Sequence, residues 1–231
     1  MSSNGIRQDS MAGARLACAI FALAWFSLSL AGCSYVGILG VMTENYKRGS
    51  SHEIKSEYDG LKGKSFAVII SADRAIQAEY PQIVDVLCDR ITTRLHQEAG
   101  ASGYIPAAKV LKYMYDHPVW VSRPMSELAK ELDNVDRIVY VDLYEYRLNE
   151  PGNSYEWGGV AAGTVAVLEM ESALPDSHAF ERNVQVKFPD KSGHGPGDMS
   201  ATLVSSTLVT RFVDRSTWLL YDHQEMYYPD Y

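Results

Sequence analysis

The stretch AFERNVQVKFPD, residues 179–190, alternates with a period of two. Phe180, Val184, Val186 and Phe188 fall on one side, with Arg182 the exception, and Glu181, Asn183, Gln185 and Lys187 fall on the other. Successive side chains of a strand point to opposite faces, so this pattern makes a strand with one apolar and one wetted side. Such a strand belongs in an antiparallel sheet covered on one face. DRIVYVDLYEYRLNE (136–150) and GGVAAGTVAVLEMES (158–172) read as its partners. In the first of these, Val139, Val141 and Leu143 alternate with Tyr140, Asp142 and Tyr144, and Pro and Gly turns separate the three segments.

The first half of the chain has another period. KSFAVIIS (64–71) is a short apolar run that suits a strand buried on both faces. Pro81 opens a helix to about Ala99, with Ile83, Val84, Leu87, Ile91 and Leu95 as its stripe and Gly100 as its stop. GYIPAAKVLKYM reads as a short strand and then a helix from near Pro106. SRPMSELAKELDNV (122–135) is a further helix, with Met125, Leu128, Ala129 and Leu132 on one face. After the loop KSGHGPGD, a long helix over 201–222 buries Leu208, Phe212 and Leu219. The order β-α-β-α-α-β-β-β-α predicts an α+β fold, a mostly antiparallel sheet with helices packed on one face. Strands 64–71, 137–147, 159–171 and 179–188 should share one sheet, with helices 81–99 and 201–222 across one face. Val139, Val141, Leu143, Val184, Val186 and Phe188 should meet Leu87, Ile91 and Phe212 there.

Ahead of this domain, Arg7 and Arg15 precede sixteen uncharged residues, 16–31. A membrane span needs about 20. Basic residues, a short apolar core and small residues at its end make a secretory signal peptide, starting at Met1 or at Met11. Its end, Leu30-Ala31-Gly32-Cys33, resembles the lipobox of bacterial lipoproteins. That resemblance implies a diacylglyceryl group on the Cys33 thiol, cleavage between Gly32 and Cys33, and acylation of the new amine, palmitate being the usual chain. Several acyl chains on one residue hold a protein on a membrane where a single chain does so only marginally. The expected organisation is a signal peptide over 1–32, a lipidated tether over 33–60 and one periplasmic domain over 61–231. Residues 35–42 are apolar and either pack on the domain or lie on the lipid surface. Ser34, where aspartate commonly retains such proteins in the inner membrane, implies by the same resemblance an outer-membrane location facing the periplasm.

Cleavage would remove Arg7, Arg15 and Asp9, so that 21 basic and 29 acidic residues become 19 and 28. An acidic chain argues against nucleic acid as a partner and against charge-driven docking on anionic lipid. Cys18 leaves with the leader and Cys33 carries lipid. Cys88, inside the helical pattern IVDVLCDRITTRL, is then left as a small buried apolar residue with no disulfide partner.

SFAVII as an opening strand, the long helix after it, SELAKELDNVDRIVYVDL as a helix leading into a strand, and a closing helix with YDH together resemble a group of bacterial envelope lipoproteins. The domain is similar to those of the penicillin-binding-protein activator lipoproteins, the curli secretion lipoprotein and the amino-terminal domain of the Tol-system periplasmic protein. IKSEYDGLKGKSFAVII also resembles a planctomycete lipoprotein subgroup.

Chemical motifs are lacking. The chain has no G-x-S-x-G, H-E-x-x-H, P-loop or paired-cysteine motif, and its six histidines have no metal-ligand spacing. GVAAGTVAV sits inside a strand pattern and not between a strand and a helix, so it is no dinucleotide loop. Asp73, Asp136, Asp142 and Glu145 are the candidate carboxylates, but Asp142 and Glu145 are three apart in a strand and point oppositely. Tyr140, Tyr144 and Tyr146 fall on one strand face, as a recognition surface or as packing under a helix, and Tyr227, Tyr228 and Tyr231 form a second aromatic candidate. The expectation is a lipid-anchored, non-catalytic envelope module that binds a protein partner, with no cofactor, metal or nucleic acid. The alternative is a small-molecule or lipid-handling auxiliary lipoprotein of a transport system, which needs a deep apolar pocket between sheet and helices.

Overall fold

The computed structural model describes residues 51–226. The leader, Cys33, residues 34–50 and the tail tyrosines Tyr227, Tyr228 and Tyr231 lie outside the described residues. The chain divides into two compact units. The described residues of one are Ser51, His52, Glu225 and Met226, and those of the other run from Glu53 to Gln224.

The elements in chain order are β1 (Ser51–Ile54), β2 (Ser65–Ala72), α1 (Arg74–Glu79), α2 (Ile83–Glu98), β3 (Gly103–Tyr104), α3 (Ala107–Asp116), a 3-10 turn (Trp120–Ser122), α4 (Met125–Glu131), β4 (Arg137–Asn149), β5 (Trp157–Glu169), β6 (His178–Phe188), α5 (Ala201–Thr217) and β7 (His223–Met226). The fold is α+β, and its main sheet has the order β3-β2-β4-β5-β6. β2 runs parallel to β3 and β4, while β4, β5 and β6 are antiparallel. The sheet is open, with β3 and β6 at its edges.

β2 is buried on both sides, as its unbroken apolar run requires. α2 and α5 pack together on one face of the sheet. Cys88 of α2 donates its thiol hydrogen to the Val68 carbonyl of β2 (3.4 Å), and Phe212 and Leu208 of α5 reach Gly163 and Gly159 of β5. Arg90 donates to Thr210 (3.2 Å) and Arg94 pairs with Asp214 (3.1 Å), joining the two helices. Val139, Val141, Leu143, Val184, Val186, Leu87, Ile91 and Phe212 are all buried in this core, and Phe188 is half-buried against it. The outward row Glu181, Asn183, Gln185 and Lys187 is exposed.

Three boundaries differ from the sequence reading. α1 has no counterpart in it, because a six-residue helix that buries only Ile76 leaves no periodic trace. The helix over 122–135 shrinks to α4, preceded by the 3-10 turn at Trp120–Ser122, and the closing helix stops at Thr217. The described part of the expected tether is not loose. Glu57 and Tyr58 donate backbone N–H groups to Leu219 O (3.0 Å each), and Leu61 is fully buried. Tyr58 Oη donates to Glu169 (2.8 Å) and accepts from Arg137 Nε (3.1 Å). Arg137 also donates to Gly60 O (3.1 Å) and to Glu171, and Lys64 pairs with Glu171 (2.8 Å). This network fastens residues 57–64 to the foot of β4. The sequence places Arg137 at the start of a strand, and its role as a staple came only with the tertiary contacts.

Candidate functional site

β2 and β4 run parallel and end side by side, with Ala72 opposite Leu143. In open sheets with parallel strands, ligands favour the crevice beyond the strands' carboxyl ends. A cleft of about 770 Å³ lies there. Its floor comes from Ile70, Ser71, Ala72, Asp142 and Leu143, and α1, α2 and α3 contribute its walls. Asp73 and Arg74 sit where β2 turns into α1, and Asp85 reaches in from α2. With three aspartates against one arginine, these lining residues sum to two negative charges.

The rim is apolar. Tyr115 is 86% exposed, Val121 61% and Tyr144 50%, and all three line the cleft. Val119, 69% exposed, stands next to Trp120, which is only 7% exposed and serves as the anchor of the turn. The turn is held from several sides. Trp120 N donates to His117 O (2.9 Å), and the His117 ring stacks on Tyr113 at 4.4 Å. Arg123 donates to Tyr113 Oη (2.7 Å) and to Glu131 (2.6 Å). Burial, followed by the neighbouring Glu131 carboxylate, pushes the Tyr113 hydroxyl up to about 12. Isolated exposed apolar residues are ordinary, but several around one concave site mark a place of contact.

The predicted tyrosine face does not form. A bulge between Leu143 and Glu145 inserts one residue into β4, and a one-residue slip moves every later side chain to the other face. Tyr140 stays on the face opposite α5, half-buried. Tyr144 is at the bulge and turns to the cleft. Tyr146 is opposite Ala161, on the helix side, where it shares a hydrogen bond with Ser205 of α5 (2.8 Å) and meets Tyr80 edge-on at 4.7 Å. Tyr144 alone of the three belongs to the candidate surface.

The candidate carboxylates separate too. Asp136 accepts from Ser65 N and Ser65 Oγ (2.8 Å each), bonds that hold its carboxyl below the usual carboxylate range. It lies six residues down β4 from Asp142, about 20 Å away along a strand. Glu145 accepts from Arg147 Nε (2.8 Å). Asp73 and Asp142 do share the cleft, joined by Asp85, which sequence reasoning missed. It also missed the turn at 119–121, whose signal was VWV, three large apolar residues outside any helical stripe. Among the described residues there is no cluster of three or more His, Cys, Asp or Glu side chains placed to hold a metal ion.

No family model matches the chain, and no curated protein matches it. Among solved structures it is similar to the PelC dodecamer from Paraburkholderia phytofirmans (12% identity, TM-score 0.44, 74% of this chain and 98% of that one). It is similar also to lipoprotein GNA1162 from Neisseria meningitidis (14%, 0.43, 65% and 96%) and to protein XCC0632 from Xanthomonas campestris (10%, 0.40, 71% and 83%). Likeness at this level carries no statement about function.

Proposed function

We propose that this chain is a lipid-anchored, non-catalytic envelope module that binds a protein partner at the cleft beyond β2 and β4. The observation that carries the reading is the rim of Tyr115, Val121 and Tyr144 around a cleft that holds Asp73, Asp85 and Asp142. Contact surfaces combine exposed aromatic and aliphatic anchors with charges that select the partner. The two net negative charges suit a partner segment that carries basic and apolar side chains. The anchor is Cys33, from its Leu-Ala-Gly-Cys motif, and Ser34 favours the periplasmic side of the outer membrane.

A photo-crosslinking amino acid at Val121 tests the surface in the native envelope, with the same group at exposed Lys191 as control. The expected result is one discrete protein adduct from position 121, absent from position 191 and lost on Tyr144→Asp. Equal adducts at both positions, or none at 121, reject the cleft as the docking site. Mass spectrometry of membrane-extracted protein tests the anchor, and an unmodified chain that begins anywhere but residue 33 rejects it. Density-gradient fractionation tests the location, and recovery only with inner-membrane markers rejects the outer-membrane assignment.

A second reading has its own observation. Tyr80, Ile83, Val86, Tyr146, Leu148 and Val209 line a mostly apolar groove of about 550 Å³ between α2 and α5. It favours the small-molecule or lipid-handling alternative. Native mass spectrometry of protein extracted from its own membranes would then show a retained lipid that Val209→Asp abolishes.

A further inference from the structure

β6 is an open edge of the sheet, eleven residues long. Successive residues of an antiparallel strand alternate between backbone groups that face the neighbouring strand and groups that face away. Lys187 belongs to the outward set: Leu143 turns its carbonyl to the β2 side (Asp73 N, 3.4 Å), so Gly163 opposite it faces β6 and bonds Val184, and Lys187 has the opposite parity, its carbonyl accepting from Arg211 of α5 (2.6 Å). Glu181 shares that parity, and its carbonyl accepts from Arg182 (3.4 Å). Asn183 and Gln185 lie between them. Their N–H and C=O groups therefore point out of the sheet edge, a ready template for another strand.

The sequence of this edge is complementary to itself. An antiparallel copy centred on Val184 places Glu181 opposite Lys187, Asn183 opposite Gln185, and Phe180 opposite Phe188, and the two-fold axis repeats each pair. The outward residues face outward residues of the copy, so the hydrogen-bonded pairs coincide and form roughly eight bonds, two per pair. Centring on Asn183 would oppose Lys187 to Ala179 and lose the charge pairing. A parallel in-register copy would oppose Glu181 to Glu181 and Lys187 to Lys187, which is unfavourable. The outer row is exposed, and Glu181 pairs there with the exposed His178 (2.7 Å). We infer that β6 pairs with β6 of a second copy, antiparallel about Val184, joining two five-stranded sheets into one of ten strands. The interface is isologous and closes on itself. It is separate from the cleft, which lies beyond β2 and β4.

Cysteine crosslinking of the full chain in membranes tests both pairing and register. Asn183→Cys in one copy and Gln185→Cys in another should form a disulfide when the two are co-expressed, since Cα atoms of such a pair are about 5.5 Å apart. Either substitution alone places its two cysteines diagonally, about 8 Å apart, beyond disulfide reach. Buried Cys88 does not compete. In the crosslinking pair, adding Lys187→Glu should cut the yield about tenfold, because two symmetric pairs become repulsive, and adding Glu181→Lys with it should restore the yield. Because the double reversal returns the charges to balance, its recovery separates pairing from misfolding. A mixed yield no higher than that of the single variants, or equal yields from Asn183→Cys alone, overturns the proposed pairing. So does a yield indifferent to the charge reversal.

Discussion

The Phe212 ring lies against Gly163. A Cβ on Gly163 would stand 3.1 Å from Phe212 Cζ and 2.7 Å from the Asp142 carbonyl oxygen. α5 thus approaches β5 where the strand has no side chain, and the ring fills that space. Gly159 repeats the arrangement one helical turn away, where a Cβ would stand 2.5 Å from Leu208 Cδ1 and 2.7 Å from Phe188 O. Gly159 and Gly163 of GGVAAG are thus the bed of the closing helix.

Phe212→Ala should therefore cost about 3–5 kcal/mol, as large-to-small changes of buried aromatics do. Gly163→Val should cost about 1–3 kcal/mol from the opposite fault, overpacking against a backbone oxygen that cannot withdraw. Denaturant melts read both. A melt of Phe212→Ala within about 0.5 kcal/mol of the parent would mean that α5 is not seated on β5.

The Arg137 network gives a second expectation. Arg137→Met removes a guanidinium that is 5% exposed, leaves Glu171 and the Gly60 carbonyl without its hydrogen bonds and takes the ion pair (3.6 Å) from Glu169. The loss should be at least about 2 kcal/mol, since hydrogen bonds to charged groups are the stronger kind. Arg137→Lys should not restore it, because one ammonium cannot span the positions that a planar fork reaches. In hydrogen exchange, the amides of Glu57 and Tyr58 should lose protection first.

Acid should loosen the same corner. Hydrogen bonds from Arg137, and then Lys64, hold the Glu171 carboxyl down at about 2, against its usual 4.5. A depressed folded value means that its stabilisation is fully present above pH 4.5 and fades as pH falls to about 2. Asp190, lowered by Arg211, acts in the same direction. Thermal melts between these limits should fall more steeply for the parent than for Glu171→Gln. Parallel curves would show that the ion pair contributes nothing in solution.

Cys88 should be inert while the chain is folded. Burial pushes its thiol up to about 12, so the nucleophilic thiolate is scarce at about pH 8. Mass spectrometry should find Cys88 unmodified by a thiol reagent in native protein and fully modified after denaturation. Rapid native labelling would place α2 off the sheet.

Much of the fold was legible because one-dimensional patterns report burial directly. The alternation at Phe180, Val184 and Val186 marks the covered side of β6, and the unbroken run of β2 marks a strand buried twice. Pro81 and Gly100 bracket α2 to within two residues. The candidate site was far less legible. Tyr140, Tyr144 and Tyr146 share a face in an ideal strand, but a single bulge at Tyr144 sends Tyr146 beneath α5 and turns Tyr144 to the cleft. Nothing local announces that bulge.

The sequence by itself determined the types of the longer elements and the covered side of β6, because each depends on neighbours along the chain. Only the tertiary structure decided that β2 and β4 lie parallel and side by side, so that Asp73, Asp85 and Asp142 share a cleft with Tyr115 and Val121. Those residues come from five separate segments, and their meeting depends on strand order and on helix seating. Both are set by long-range packing, for which a linear pattern carries no coordinate.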